Sequence, residues 1–163
     1  MKKYILILGA LAVCAINSMS CKTFIYARYD FKSECLGTEL DGSQTIKAWG
    51  KGRYWKDAAD QAKKNAVRDV IFKGILDGQQ GCKMQPLLME VNAEEKYEEY
   101  FNTFFADGGE YKKFVSLKDE KIPRHIIRKA NFRDKDNSVY SVVVRVLRDE
   151  LKSKLISDGI LKK

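Results

Sequence analysis

The sequence predicts an α+β domain: an antiparallel sheet of two β-hairpins with helices packed on one face, in the order ββααββα. Three features point there. Asp41-Gly42-Ser43 divides two extended runs, Cys35–Leu40 and Gln44–Gly50; Ala59, Ala62 and Ala66 recur at helical spacing; and Val139–Leu147 alternates apolar residues on both of its faces.

Asp-Gly between extended runs signals a hairpin, because glycine supplies the positive φ that the favoured turns need. Tyr54–Leu76 reads as the first helix, with Ala59, Ala62, Ala66 and Val70 on one face and Lys56, Asp60, Lys63, Lys64 and Asp69 toward solvent. So small a stripe lets the helix axis lie close to a sheet. Asp77–Cys82 reads as a loop, with Gly78 in the left-handed position beyond the helix. A second helix is expected from an Asn92 N-cap to Asp107, with Glu94 and Glu95 at its positive end and Gly108-Gly109 as its stop. Tyr97, Tyr100, Phe101, Phe104 and Phe105 form its apolar stripe, read first as core and second as a partner- or lipid-facing surface. Two more strands follow, Arg124–Phe132 and Val139–Leu147. In the second, Val142, Val144 and Val146 share one face and Val139, Val143 and Leu147 the other, which suits a central strand. Arg148–Ile156 reads as the closing helix, with Gly159 beyond it.

The amino terminus has a different character. Lys2 and Lys3 precede an apolar run, Tyr4–Ile16, and no further charge occurs until Lys22. A basic start, a short apolar run and small residues at a cleavage point make a secretory signal, and the run is short for a spanning helix. Ser18 and Ser20 stand at the third and first positions before Cys21, and Ser18-Met19-Ser20-Cys21 resembles a bacterial lipobox. The expected organisation is a lipoprotein signal peptide over 1–20, a lipidated Cys21 and tether over 21–34, and a single domain over 35–163. Several acyl chains would hold the protein firmly, since each buried methylene contributes about 0.8 kcal/mol. By resemblance to lipoprotein sorting patterns, Lys22-Thr23-Phe24 lacks the Asp of inner-membrane retention, which implies an outer membrane and a periplasm-facing domain.

The chain holds 4 cysteines, and cleavage before Cys21 removes Cys14. Acylation of Cys21 would then leave Cys35 and Cys82 as an even pair able to form a disulfide in an oxidising compartment; the alternative is two unbonded buried thiols. The formal charge of +8 falls to +6 when Lys2 and Lys3 leave with the signal. Acids and bases are interspersed, as in Lys56-Asp57 and Arg133-Asp134-Lys135-Asp136, where a nucleic-acid footprint would cluster on one face. No nucleic-acid partner is expected.

Thr45-Ile46-Lys47-Ala48-Trp49-Gly50-Lys51-Gly52, followed by Ala58-Ala59, Ala62, Ala66 and Val70, resembles small membrane-associated bacterial lipoproteins that share the fold of the amino-terminal domain of the flagellar protein FlgT. In that group a strand ending in a Gly-x-Gly turn leads into an alanine-striped helix, and a later strand, here Tyr140–Val146, precedes a final helix. The resemblance implies an accessory or assembly protein of an envelope structure and supplies no catalytic residue.

The residues themselves offer few routes to catalysis. Gly50-Lys51-Gly52 could present amides to an anion, but it lacks both the third glycine of a dinucleotide loop and the Gly-Lys-Ser/Thr ending of a P-loop, so a structural turn is the expectation. His125 is the only histidine, which removes most zinc sites and nucleophile triads. Glu94-Glu95 and Glu98-Glu99 read as a solvated helix face rather than as acid and base. No metal, cofactor or catalytic residue is expected. Trp49, Lys51, Arg53, Tyr54 and Trp55 form the candidate partner-binding surface, since aromatics beside cations stack on a sugar, a peptide or another protein. The simpler role for these rings is to staple the helix start to the sheet. The expected function is non-catalytic: a membrane-anchored lipoprotein with an envelope protein partner. A small ligand-binding or hydrolytic envelope domain is the alternative.

Overall fold

The Asp41-Gly42-Ser43 turn closes on itself before it touches the rest of the chain. Asp41 Oδ1 accepts the Ser43 N–H at 3.0 Å and the Ser43 hydroxyl at 2.6 Å, and Gly42 sits at φ 79°. The computed structural model describes residues 32–79, 81–83, 85–117 and 138–162, all within the unit Phe31–Lys163. The expected signal peptide, Cys21, most of the tether, the strand Arg124–Phe132 and His125 lie outside the described residues.

The turn joins β1 (Glu34–Thr38) to β2 (Gln44–Gly52) as an antiparallel hairpin, with a register shift between Cys35 and Gly37. Arg145, on β5 (Ser138–Val146), crosses to the same turn, donating to Ser43 Oγ and to Asp41 Oδ2 at 2.7 Å each. Along β2, Ile46, Ala48 and Gly50 are buried while Lys47 and Trp49 are half-buried and Lys51 is exposed, the alternation of a strand with one covered face. β5 pairs antiparallel with β2 along its whole length, Gln44 opposite Val146 through Gly52 opposite Ser138.

The covered face lies under α1 (Trp55–Arg68), whose Ala58, Ala59, Ala62, Ala66 and Val67 are buried. The glycines of β2 make this approach possible by steric means. A Cβ on Gly50 would collide with the Ala58 carbonyl oxygen and lie 2.6 Å from Ala62 N, and one on Gly52 would lie 2.6 Å from Ala58 N. Neither glycine has a left-handed backbone. Asn65 adds a polar stitch, donating to the Trp49 carbonyl at 2.8 Å.

The structure is α+β, but among the described residues its sheet is mixed and has five strands, in the order β3 (Asp77–Gly78), β1, β2, β5 and β4 (Val115–Leu117), which corrects the expected pair of antiparallel hairpins. The helix expected to reach Leu76 ends earlier. Its last turn, Asp69–Lys73, is π-helical, and the Gly74 N–H reaches Asp69 O at 2.7 Å. Gly74, at φ 73°, takes the terminal glycine role expected of Gly78. Gly78 instead belongs to β3 (Asp77–Gly78), which pairs parallel with β1 inside the expected loop, where a Cβ would collide with the Cys35 backbone.

The single second helix is two short ones, α2 (Ala93–Lys96) and α3 (Glu98–Phe104), parted at Tyr97, whose φ of −113° and ψ of 32° are not helical. Asn92 is at the N-terminus as expected but has a left-handed backbone (φ 59°) and makes no side-chain cap, a conformation that Asn tolerates better than most residues. The helix stops at Phe104 rather than Asp107. A 3₁₀ turn, Glu110–Phe114, then leads into β4 (Val115–Leu117), an unforeseen strand that pairs antiparallel with Val144–Val146. Leu147 is not on the sheet; it precedes α4 (Arg148–Ser157) as its N-cap.

The aromatic stripe is core packing for Phe101 and Phe104, 3 % and 2 % exposed, which meet Phe72 and Phe114. Tyr100 reaches outward, donating its hydroxyl to Asp158 at 2.6 Å and so tying α3 to the end of α4. That bond, with help from Lys154, holds the Asp158 carboxyl below its usual range, while burial and Asp158 push the Tyr100 phenol up.

Two tests follow from this packing. Gly50→Ala should lose about 3 kcal/mol or more in urea denaturation, because the added carbon meets helix backbone rather than a yielding side chain. Gly37→Ala, with nothing within 4 Å of the new carbon, should stay within about 0.5 kcal/mol. At the turn, bonds from the Ser43 hydroxyl and N–H, with Arg145 assisting, lower the Asp41 carboxyl to about 2. A depressed carboxyl stabilises the fold above its unfolded value of about 3.9 and loses that contribution as the pH falls through about 2. Asp41→Asn should therefore flatten the acid limb of stability between those values, as followed by acid denaturation against the parent.

Candidate functional site

The five residues singled out at the β2–α1 junction divide into two groups. Trp49 and Lys51 project from the face of β2 opposite α1, as strand alternation requires. Arg53 and Tyr54 form the link, and Trp55 opens the helix. Tyr54 is 64 % and Trp55 40 % exposed, so neither ring is spent on the core.

Each group carries its own cation. Lys47 Nζ lies 5.6 Å from the centre of the Trp49 ring and 3.4 Å from Glu34 Oε2 on the neighbouring strand. Arg53 Cζ lies 5.8 Å from the Tyr54 ring centre. Lys47 is not among the expected site residues, although its place two residues before Trp49 puts it on the same strand face. The Gly-x-Gly segment is the end of β2 and not the expected turn, and the space of its missing side chains is filled by the α1 backbone.

Cys35 and Cys82 form a disulfide. It pins an irregular strap, described at Gly81–Lys83 and at Gln85, to the edge of the sheet, where Gln79 N–H also meets Cys35 O at 3.0 Å. Two buried polar side chains grip the strap from beneath. Gln44 Nε2 donates to Lys83 O at 3.1 Å, and Arg148 Nη2 donates to Gln85 O at 2.7 Å. Arg148 is only 6 % exposed, and burial pulls its guanidinium below the ordinary value against the pull of Asp149. Gln44 Oε1 and Arg148 Nη1 are buried with no hydrogen-bond partner among the described residues. Nothing in the sequence marked these two: a polar residue opening a strand and an arginine opening a helix are ordinarily solvated.

An open cleft of about 410 Å³ lies over Phe72 and Leu88, rimmed by Glu90, Asn92, Glu94 and Glu95. Its acids are largely engaged, Glu90 with Lys96 and Glu94 with Arg68. Among the described residues no group of His, Cys, Asp or Glu could hold a metal ion, and no helix is long and apolar enough to cross a membrane. No protein-family model, no curated protein and no solved structure matches the chain.

The exposure of the junction rings gives a direct test. Tyr54→Ala should unfold within about 1 kcal/mol of the parent in thermal or urea denaturation, since the ring is 64 % exposed. A loss above about 3 kcal/mol would make this ring part of the core.

Proposed function

We propose that the chain is a non-catalytic, lipid-anchored envelope protein that faces the periplasm from an outer membrane and works through contact with another envelope protein. The observation that supports this most is the Cys35–Cys82 disulfide. Disulfides persist in oxidising compartments, and this one uses the two thiols that remain once Cys14 departs with a signal peptide and Cys21 takes lipid. The resemblance of Gly50-Lys51-Gly52 and the alanine-striped helix to the FlgT-like lipoprotein group favours an accessory or assembly role.

For the contact surface we favour Arg53, Tyr54 and Trp55. Large aromatics beside arginine are the residue types that dominate protein interfaces, and these rings stand proud at a rigid strand–helix junction. The half-buried Trp49 with Lys47 and Lys51 lies on the other face of β2 and would extend the surface around the strand end.

Expression of the parent and of Cys21→Ala in a bacterial host tests the anchor. The parent should sediment with membranes and the variant should appear in the soluble periplasmic fraction; identical soluble partition of both would contradict the proposal. A photo-crosslinking residue at Trp55 should capture a discrete envelope protein that is lost in Arg53→Glu, whereas capture unaffected by that charge reversal would remove the junction from the interface.

A further inference from the structure

Given Arg53, Tyr54 and Trp55 as the contact surface, the reading on which this rests, we infer that the surface is received by a second copy of this chain, in the cleft over Phe72 and Leu88. Both surfaces are set by α1. Tyr54 and Trp55 stand at its start, whereas Phe72 lies in the π-helical turn that ends it, about 25 Å further along at about 1.5 Å per residue. The N–H groups of Leu87 and Leu88 meet Val70 O and Ile71 O at 3.0 and 2.8 Å, which seats the following residues beside that turn. Large apolar side chains are exposed at both ends: Tyr54 and Trp55 at one, and Leu76, Met89 and Val91 just beyond the other. Apolar side chains gathered in this way mark contact surfaces.

The two ends also have opposite charge. Residues 51–57 hold three cations, Lys51, Arg53 and Lys56, against the single acid Asp57. Residues 90–99 hold five glutamates against the single cation Lys96. Lys96 is paired with Glu90, and Arg68 with Glu94, which leaves Glu95 on the cleft rim, exposed and without an ion pair among the described residues. Arg53 is likewise exposed and has only the Tyr54 ring beside it among the described residues. Acids alone would draw any cation. The apolar floor of Phe72 and Leu88 selects a cation carried beside aromatic rings, and Arg53-Tyr54-Trp55 is such a segment. A ring from the corner fills the cleft while Arg53 faces Glu95 at its rim. One chain cannot bring together surfaces held at opposite ends of its own helix, so the match is made only between copies.

The test expresses two differently tagged forms of the full chain together in a bacterial host, the first with a photo-crosslinking residue at Trp55. Irradiation should give a product that carries both tags, with the crosslink on Leu88–Glu95 of the second form. Arg53→Glu in the first form, or Glu95→Arg in the second, should lower the two-tag yield about 10-fold, because like charges then face each other. The two changes together should restore it to within about threefold of the parent, as coupled sites do. A photo-crosslinking residue at Val91 gives the reciprocal arm and should mark Arg53–Lys56 of the other form; it keeps both charges, so it decides the matter if a charge variant does not fold. A product joining Trp55 to a different envelope protein, with no two-tag product, would overturn the second copy as partner and leave the contact surface standing. No crosslinked product from Trp55 would remove both. A two-tag product mapped outside the cleft, or one indifferent to Glu95→Arg, would also overturn the inference.

Discussion

Close backbone contact between α1 and the β2 strand sets the rest of the fold. Gly50 and Gly52 have no side chain because Ala58 and Ala62 occupy that space, and the alanines are small because the strand lies so near. A helix seated this closely leaves little room for adjustment, since packed interiors do not absorb added volume. It also fixes strand alternation in β2: Ile46 and Ala48 must face the helix, so Lys47, Trp49 and Lys51 must face away. The candidate surface is therefore a consequence of the core.

The far end of the sheet is organised differently. There the ties are polar and covalent: Arg145 to the Asp41–Ser43 turn, Gln44 and Arg148 to the strap, and Cys35 to Cys82. Such groups secure irregular chain that cannot bury enough apolar surface to hold itself. They also concentrate desolvated polar atoms in one place, so that removal of one tie changes the balance for the others. One end of the domain is thus held by volume and the other by specific bonds.

Legibility in the sequence followed the same division. The hairpin, the alanine helix and the valine strand were readable because each rests on local rules: a turn residue at φ 79°, a helical repeat and a β-branched run. The edges were not. β3 has two residues and exists only because the disulfide-linked chain returns beside β1, and β4 has three, positioned by the 3₁₀ turn before it. The break at Tyr97 leaves no mark in a stripe whose spacing suits one continuous helix. Among site residues, Trp49, Tyr54 and Trp55 stood out by gathering around Gly50 and Gly52, whereas Arg148 and Gln44 owe their burial to a strap brought over them by long-range contacts.

The functional reading we propose depends on a lipid anchor at Cys21. The most direct measurement is the mass of the mature amino-terminal peptide from membrane-extracted protein. The account predicts a chain beginning at Cys21 and carrying acyl groups on that residue. A chain beginning at Met1, or at an unmodified Cys21, would contradict it.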